Sequence, residues 1–341
     1  MSVSVVVPVR DGGEAFRTCL ARLSACRPPA GEVIIVIDGA SGGAAACAEA
    51  AGAGVVALPS TAGPAAARNA GAAAARGSVL LFVDADVAVP ADLLGRVAGM
   101  LDDEPRLAAV IGSYDDEPAE RGFLSQYRNL LHHYVHQTSR EDATTFWCGC
   151  GAVRRDVFLA VGGLDAGFGA PSVEDIEFGY RLIRAGHRVR LCKDLQVTHL
   201  KRWTAASMVR TDIFDRAVPW TRLAIRARRL PNDLNLHTSA RVSTALVFAL
   251  VASLAAAAWT PWALAAAACA ALGLAALNAG FYAFLWRKRG PRFALAAMPW
   301  HWVYFACAGI GFAVGVAREI AGGNPTAGSD SSRSGVASRR V

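Results

Sequence analysis

The chain has 341 residues, 53% of them hydrophobic and 18% charged, with a formal net charge of +7. That length buries a substantial core and excludes a disordered chain, while the apolar excess excludes a protein solvated on all sides by water. The basic residues form no run interleaved with aromatics and several flank apolar segments, which excludes nucleic acid as the expected partner and favours an anionic lipid surface.

At the N-terminus, Met1 runs directly into Ser2-Val3-Ser4-Val5-Val6-Val7-Pro8. This is too short for a signal-peptide core and has no basic leader, so the N-terminal domain is expected in the cytoplasm. Short β-branched runs then alternate with Ala-rich helical stretches, the pattern of βαβ units in a mainly parallel α/β sheet. Strands are predicted at Ser4 to Pro8, Val33 to Asp38, Val55 to Leu58 and Val79 to Asp84. Open α/β sheets bind ligands beyond the carboxyl ends of their strands, where Arg10, Asp38 and Asp84 to Asp86 fall.

The fourth strand delivers Asp84 and Asp86 together at its end, and such a pair suits Mg²⁺ or Mn²⁺, which takes oxygen ligands and bridges carboxylates to phosphate. A turn reading competes, because Asp is common after a strand. His132, His133 and His136 have a spacing that a metal could use on a helix, but without an intervening Glu they predict a polar helix face. Eight cysteines lie between Cys19 and Cys307 with no CxxC spacing, so small buried thiols in a reducing compartment are expected rather than disulfides or a zinc site. In Phe146-Trp147-Cys148-Gly149-Cys150-Gly151-Ala152 the thiols read as small residues that allow close packing, and Gly162-Gly163 reads as a turn. Glu174 and Asp175 fall in the first turn of an apolar-periodic helix, where the helix dipole favours them.

From Trp203 to Leu230 aromatics mix with six arginines, which predicts a basic amphipathic segment resting in a membrane interface over residues 203–235. No carboxylate occurs between Asp233 and Glu319, so a membrane half is expected after about residue 235. Its apolar spans, Val242 to Trp259, Ala263 to Trp286 and Phe293 to Val316, each approach or exceed the ~20 residues needed to cross a bilayer. The cluster Arg287-Lys288-Arg289-Gly290-Pro291-Arg292 is assigned to the cytoplasm. Pro299 and His301 interrupt the last span and allow a re-entrant segment. The domain plan is 1–202 catalytic, 203–235 interfacial, 240–318 membrane helices, two or three in number, and 319–341 a disordered tail.

Val7-Pro8-Val9, Ile35 to Ser41, Pro64 to Gly71, Asp84-Ala85-Asp86, Gly162 to Asp165 and Glu174-Asp175 occur in the order that resembles family 2 glycosyltransferases of the GT-A fold, over roughly the first two thirds of the chain. The resemblance implies that Pro8, Arg10, Asp38, Arg68 and Asp84 hold a nucleotide-diphospho-sugar donor, with Asp38 on base or ribose and Arg68 on nucleotide or diphosphate. It implies a metal on the Asp84-Ala85-Asp86 motif and Asp175 as the base that takes the acceptor proton in a single displacement with inversion, Glu174 orienting it. The chain departs from the family with Ile37 before Asp38 and Arg10-Asp11 after the first strand. His199-Leu200-Lys201-Arg202-Trp203 resembles the QxxRW segment of processive members with His199 in the Gln position. His199 is expected to join Asp86 at the metal or to reach the diphosphate, and Arg202 to neutralise the leaving group beside Trp203.

The expected function is therefore an inverting, metal-dependent glycosyltransferase, multi-pass in the cell (inner) membrane, acting on a lipid or glycan acceptor with no obligate protein partner. Alternatives are a polyprenyl-phosphate glycosyl synthase and a non-catalytic membrane scaffold that binds nucleotide sugar. A dinucleotide dehydrogenase is disfavoured because GxGxxG is absent after the first strand.

Overall fold

The computed structural model describes residues 1–39, 42–228 and 237–322. Ala40 and Ser41 of the family-like segment, the junction near residue 235 and the tail from 323 onward lie outside the described residues.

The first half is a three-layer α/β sandwich. Its eight strands are β1 (Val3–Val9), β2 (Glu32–Asp38), β3 (Gly54–Leu58), β4 (Val79–Val83), β5 (Val87–Ala88), β6 (Leu107–Tyr114), β7 (Cys150–Arg154) and β8 (Arg188–His199), in the spatial order β3-β2-β1-β4-β7-β6-β8-β5. β3, β2, β1 and β4 run parallel, with Val5 of β1 opposite Val33 of β2 and Leu81 of β4, so their carboxyl ends share one edge. β7 enters antiparallel between β4 and β6.

Side-chain alternation along the strands makes two cores. Val5, Val7 and Val9 face Phe16, Leu20 and Leu23 of α1 (Glu14–Ser24) and Leu94 and Val97 of α4 (Leu93–Asp103). Val6, Leu80 and Phe82 face the other way, onto α3 (Pro64–Ala74), α6 (Arg155–Ala160) and α7 (Glu174–Arg184). The alanines of α3 let it lie close to the sheet: a Cβ on Gly71 would stand 2.4 Å from Val6 Cγ1. α2 (Ala44–Ala50) covers the outer strands, and α5 (Phe123–Thr138) leads to the second half.

After β8 come α8 (Ala205–Arg210), a π-helical stretch over Thr211–Ala217, and α9 (Val218–Ala227), which run on without a break. α10 (Thr238–Ala256) and α13 (Pro291–Ala321) are each long and apolar enough to cross a membrane. α11 (Trp262–Leu277) and α12 (Ala279–Arg289) would make a third span only as one pair, and they are bent by 65°.

The break therefore falls in the second apolar run, not at Pro299 and His301, where α13 continues as a single helix. The bend has a local cause: Asn278 turns its amide inward to donate to Leu274 O at 2.9 Å and Ser243 Oγ at 3.0 Å. Beyond it α12 docks on α5, with Gly280 leaving room for Tyr134 and with Arg289 donating to Gln126 Oε1 at 2.8 Å and to Asp116 O. α13 meets α5 at its start and then lies along the π-helical stretch and α9. Phe293 meets Phe123, Gly311 admits Ala217, Gly315 admits Thr221, and Glu319 pairs with Arg222 and Arg226.

All eight cysteines are free, and six are buried, whereas Cys47 is half-buried and Cys269 on α11 is exposed.

Candidate functional site

Chain direction brings Asp86 and His199 together. Immediately after Asp86 the chain forms β5, which pairs antiparallel with the end of β8, setting Val87 opposite His199. Leu200 N donates to Asp86 O at 2.8 Å, and His199 Nε2 stands 3.7 Å from Asp86 Oδ2. Burial alone would raise the Asp86 pKa, but the hydrogen bond and charge of His199, with the charge of Lys201, hold it below the ordinary value. Tyr114 stacks on the His199 ring at 4.3 Å and meets Trp147 edge-on at 4.8 Å, which fixes the imidazole plane.

Asp175 enters from the opposite side of the cleft on α7. That helix presses on the segment before β7 because residue 179 is glycine: a Cβ there would lie 2.3 Å from Phe146 N. Four residues earlier on the same helix face, Asp175 Oδ2 accepts from Cys148 N at 3.3 Å and Oδ1 from Ile176 N at 2.8 Å. Burial and the neighbouring Glu174 raise the Asp175 pKa to about 7, against the opposing pull of Arg68 and the two amides.

Arg68 ties the two sides together. From α3 its guanidinium donates to Asp84 Oδ1 at 2.7 Å and to Glu174 Oε1 at 2.9 Å, and both Arg68 and Glu174 are buried. Glu174 also accepts from Ser172 N at 2.9 Å, which fixes the start of α7. Desolvation lowers the Arg68 pKa, but the surrounding carboxylates and the Cys148 thiol outweigh it and hold the group charged. Removing one partner from such a buried pair costs about 3–5 kcal/mol, because it strands the other charge away from water.

The other expected site residues are distributed unevenly. Pro8 is half-buried and Arg10 exposed, at the end of β1. Asp38 is buried at the end of β2, where its carboxylate accepts from Ala62 N at 2.6 Å and Gly63 N at 3.1 Å, so it holds the loop that starts α3. Both terminal nitrogens of Arg68, expected to face phosphate, are occupied by Asp84 and Glu174. Arg202 is exposed. Trp203 is buried among Tyr127, Leu130, Met208, Phe281 and Leu285, with Arg128 over its ring at 5.3 Å, so it joins the two halves of the chain rather than projecting into an interface.

The histidines of α5 do not make a polar face. His133 is buried with Nδ1 at 2.8 Å from Tyr114 O, and His132 and His136 pack half-buried against Tyr114 and Trp147. The aromatic wall of Tyr114 and Trp147, with His132 behind it, is the part of the cleft that sequence reasoning missed. The resemblance put the segment of Trp147 at the acceptor site without giving that ring a role, and Tyr114 carried no motif.

Among the described residues no group of three or more His, Cys, Asp or Glu side chains gathers as a complete metal cage. Asp84 is committed to Arg68, which leaves Asp86 and His199 as protein donors. One carboxylate and one imidazole fit a cation that completes its shell with phosphate oxygens and water.

Residues 4–162 match the family model described as glycosyl transferase family 2. The match covers just under half of the chain. The fold is that of GT-A enzymes, and the chain is a glycosyltransferase. Among solved structures it is similar to the mannosyltransferase PcManGT from Pyrobaculum calidifontis in complex with GDP-Man and Mn²⁺, at 20% identity and a TM-score of 0.59 over 94% of this chain and 88% of that one. It is also similar to residues 1–349 of TarS from S. aureus, at 14% identity and a TM-score of 0.50 over 91% and 90% of the two chains. A third similar structure is GalNAc-T7 with UDP, GalNAc and Mn²⁺, at 14% identity and a TM-score of 0.50 over 71% of this chain and 51% of that one. No curated protein matches the chain.

Proposed function

We propose that this glycosyltransferase moves a sugar from a nucleotide-diphosphate donor to an acceptor presented at the membrane, in a single displacement with inversion. The observation that carries the reading is the placement of Asp175, with a pKa of about 7, across the cleft from Asp84 and Asp86, with the neighbouring Glu174 tied to Asp84 through Arg68. A carboxylate poised near neutrality is matched to proton abstraction at physiological pH.

In this scheme the acceptor hydroxyl oxygen forms its bond to the anomeric carbon as the bond from that carbon to the diphosphate oxygen breaks. The hydroxyl proton passes to Asp175 and the nucleoside diphosphate leaves. Glu174 and Arg68 keep Asp175 in register, and Asp38 shapes the nucleotide end by holding the Ala62–Gly63 loop. Exposed Arg10 and Arg202 are available to phosphate oxygens. Asp86 and His199 would hold Mg²⁺ or Mn²⁺, which when bound offsets charge on the diphosphate. The GDP-Man and Mn²⁺ of one similar structure and the UDP and Mn²⁺ of another support this assignment.

The membrane placement rests on the apolar exposed faces of α10 and α11, with Trp259 in the turn between them and Trp262 at the start of α11, each 83% exposed. The opposite end of the same hairpin returns to the catalytic half with Arg287, Lys288 and Arg289. Residues 1–202 are then the catalytic domain on the cytoplasmic face of the cell (inner) membrane, 203–235 the interfacial segment and 240–318 the membrane helices.

The test is turnover by the full chain in lipid nanodiscs with a panel of nucleotide sugars and Mn²⁺ or Mg²⁺, reading nucleoside diphosphate release and the anomeric configuration of the product. Asp175→Asn and Asp86→Ala are expected to abolish transfer with membrane insertion intact. Full turnover by either variant, or a retained configuration, would overturn the reading.

A further inference from the structure

A further cation, Arg216, lies close enough to feel the charge of Asp175 and is used by nothing described above. Arg216, in the π-helical stretch, is half-buried and has no ion-pair partner among the described residues. Its guanidinium donates to His132 Nε2 at 2.8 Å, and its charge is balanced only at longer range, by Asp212 and Asp175. Asp212 is already taken by Arg128, in a bidentate pair at 2.6 and 3.1 Å. Burial and Arg128 make Arg216 a weaker cation than an ordinary arginine, the state of a charge that lacks a counter-ion.

Its surroundings are suited to a ligand. The His132 ring packs on Tyr114, which on its other side stacks on His199. His136, one turn further along α5, meets Trp147 at 5.3 Å, and its buried Nδ1 has no hydrogen-bond partner. One turn after Arg216, Trp220 Nε1 donates to Tyr180 on the helix that bears Asp175, at 3.1 Å. Arg216 thus lies behind the aromatic wall, on the side where an acceptor would approach the base.

We infer that Arg216 and His132 form a subsite for a phosphate group carried by the acceptor, and that this phosphate belongs to a lipid. This rests on the reading of Asp86 and Asp175 as the transfer site. A planar guanidinium with free donors recognises a phosphate edge. The lipid source is favoured because the π-helical stretch packs directly on α13, whose Gly311 admits Ala217. It is favoured too by a recess of about 300 Å³ between α5 and the membrane helices, whose mixed lining sets Leu131, Phe281 and Phe305 beside Thr138, Asn278 and His301. Tyr304, also in that lining, faces Arg128 at 6.0 Å.

The test is calorimetric binding to the full chain in detergent micelles, using three probes: dihexanoyl phosphatidic acid, glycerol 3-phosphate and dihexanoylglycerol. Nucleoside diphosphate with Mn²⁺ is titrated in the same samples. The wild type is expected to bind phosphatidic acid more tightly than either other probe. Arg216→Gln should weaken it about tenfold to a hundredfold and Arg216→Lys less, with His132→Gln intermediate, while nucleotide affinity is unchanged.

Phosphatidic acid binding no better than the neutral lipid, unaffected by Arg216→Gln, or competitive with the nucleoside diphosphate would overturn the subsite. Equal affinity for glycerol 3-phosphate would overturn its lipid source. Absence of nucleotide binding in the wild type would instead remove the transfer site on which the inference stands.

Discussion

Arg68 donates to Glu174 at 2.9 Å from a helix 106 positions away in sequence, and this contact joins the donor side of the cleft to the base side. Because both side chains are buried, Arg68→Met leaves Glu174 and Asp84 uncompensated and is expected to destabilise the fold by about 3–5 kcal/mol. Chemical denaturation in detergent measures this. The double variant Arg68→Met with Glu174→Gln removes one of the stranded charges and should recover part of the loss.

The same guanidinium lowers the Asp175 pKa, so it should also appear in the pH–rate profile. With Asp175 at about 7, log kcat/KM is expected to rise with unit slope below pH 7 and level off above it, as the carboxyl ionises to the active base. The stability contribution runs the other way. Between 3.8 and about 7 the folded chain holds a proton that the unfolded chain has lost. The contribution is therefore fully present below 3.8 and lost as pH rises through 7. The limb is set first by burial of the carboxyl, then by Glu174, Arg68 and the Cys148 and Ile176 amides. In any Arg68 variant that remains folded the limb should move upward, and an unmoved limb would separate it from Asp175.

His199 and Asp86 face each other at 3.7 Å with no third His, Cys, Asp or Glu gathered beside them among the described residues, so each should matter strongly for metal and little for the fold. His199→Gln is expected to raise the Mn²⁺ concentration for half-maximal activity by at least about tenfold, the scale seen when residues supporting a metal site are altered. Activation curves with Mn²⁺ and Mg²⁺ read this directly. An unchanged requirement would place the metal elsewhere.

How much of this was legible in sequence depended on whether the signal was local. The four parallel strands ended within a residue or so of where β-branched runs give way to polar residues, and Asp84 and Asp86 were readable because strand direction alone places them at the crevice. β6, β7 and β8 were not assigned as strands, because they combine by long-range pairing and β7 runs against its neighbours. Residues 148–151, whose thiols read as small packing residues, run into β7. The α5 histidines read as polar because nothing within a turn of them announces the Tyr114 and Trp147 rings that cover them. In the second half, hydropathy located the apolar runs but not the bend. Asn278 is one residue, and its effect depends on Ser243 being within reach of its amide.

Arg128 and Asp212 form the buried ion pair that fastens α5 to the π-helical stretch, with Trp203 and Tyr304 around it. Asp212→Asn should cost about 3–5 kcal/mol by leaving Arg128 without a counter-charge, whereas Arg128→Met combined with Asp212→Leu should be far milder. Thermal unfolding of the purified chain in detergent gives the comparison. If the two variants lose equal stability, the pair contributes by shape and packing rather than by charge.

Gly179 makes the sharpest separation between positioning and binding. A methyl group there would meet Phe146 N at 2.3 Å and Thr145 Cα at 2.4 Å, both backbone atoms, so α7 must lift from the segment before β7 by a large fraction of an ångström. Asp175, four residues earlier on the same face, would lift with it and lose its contact with Cys148 N. Displacements of about 1 Å at a reacting group cost on the order of a hundredfold in rate. Gly179→Ala is therefore expected to lower kcat by that order while Asp86, His199 and the ends of β1 and β2 stay in place, leaving the Kd for nucleoside diphosphate and Mn²⁺ unchanged. Single-turnover transfer and calorimetry on the same preparation distinguish the two effects. A parallel loss of nucleotide affinity would mean that α7 supports the donor pocket itself, and Asp175 would then lose its claim to act on the acceptor alone.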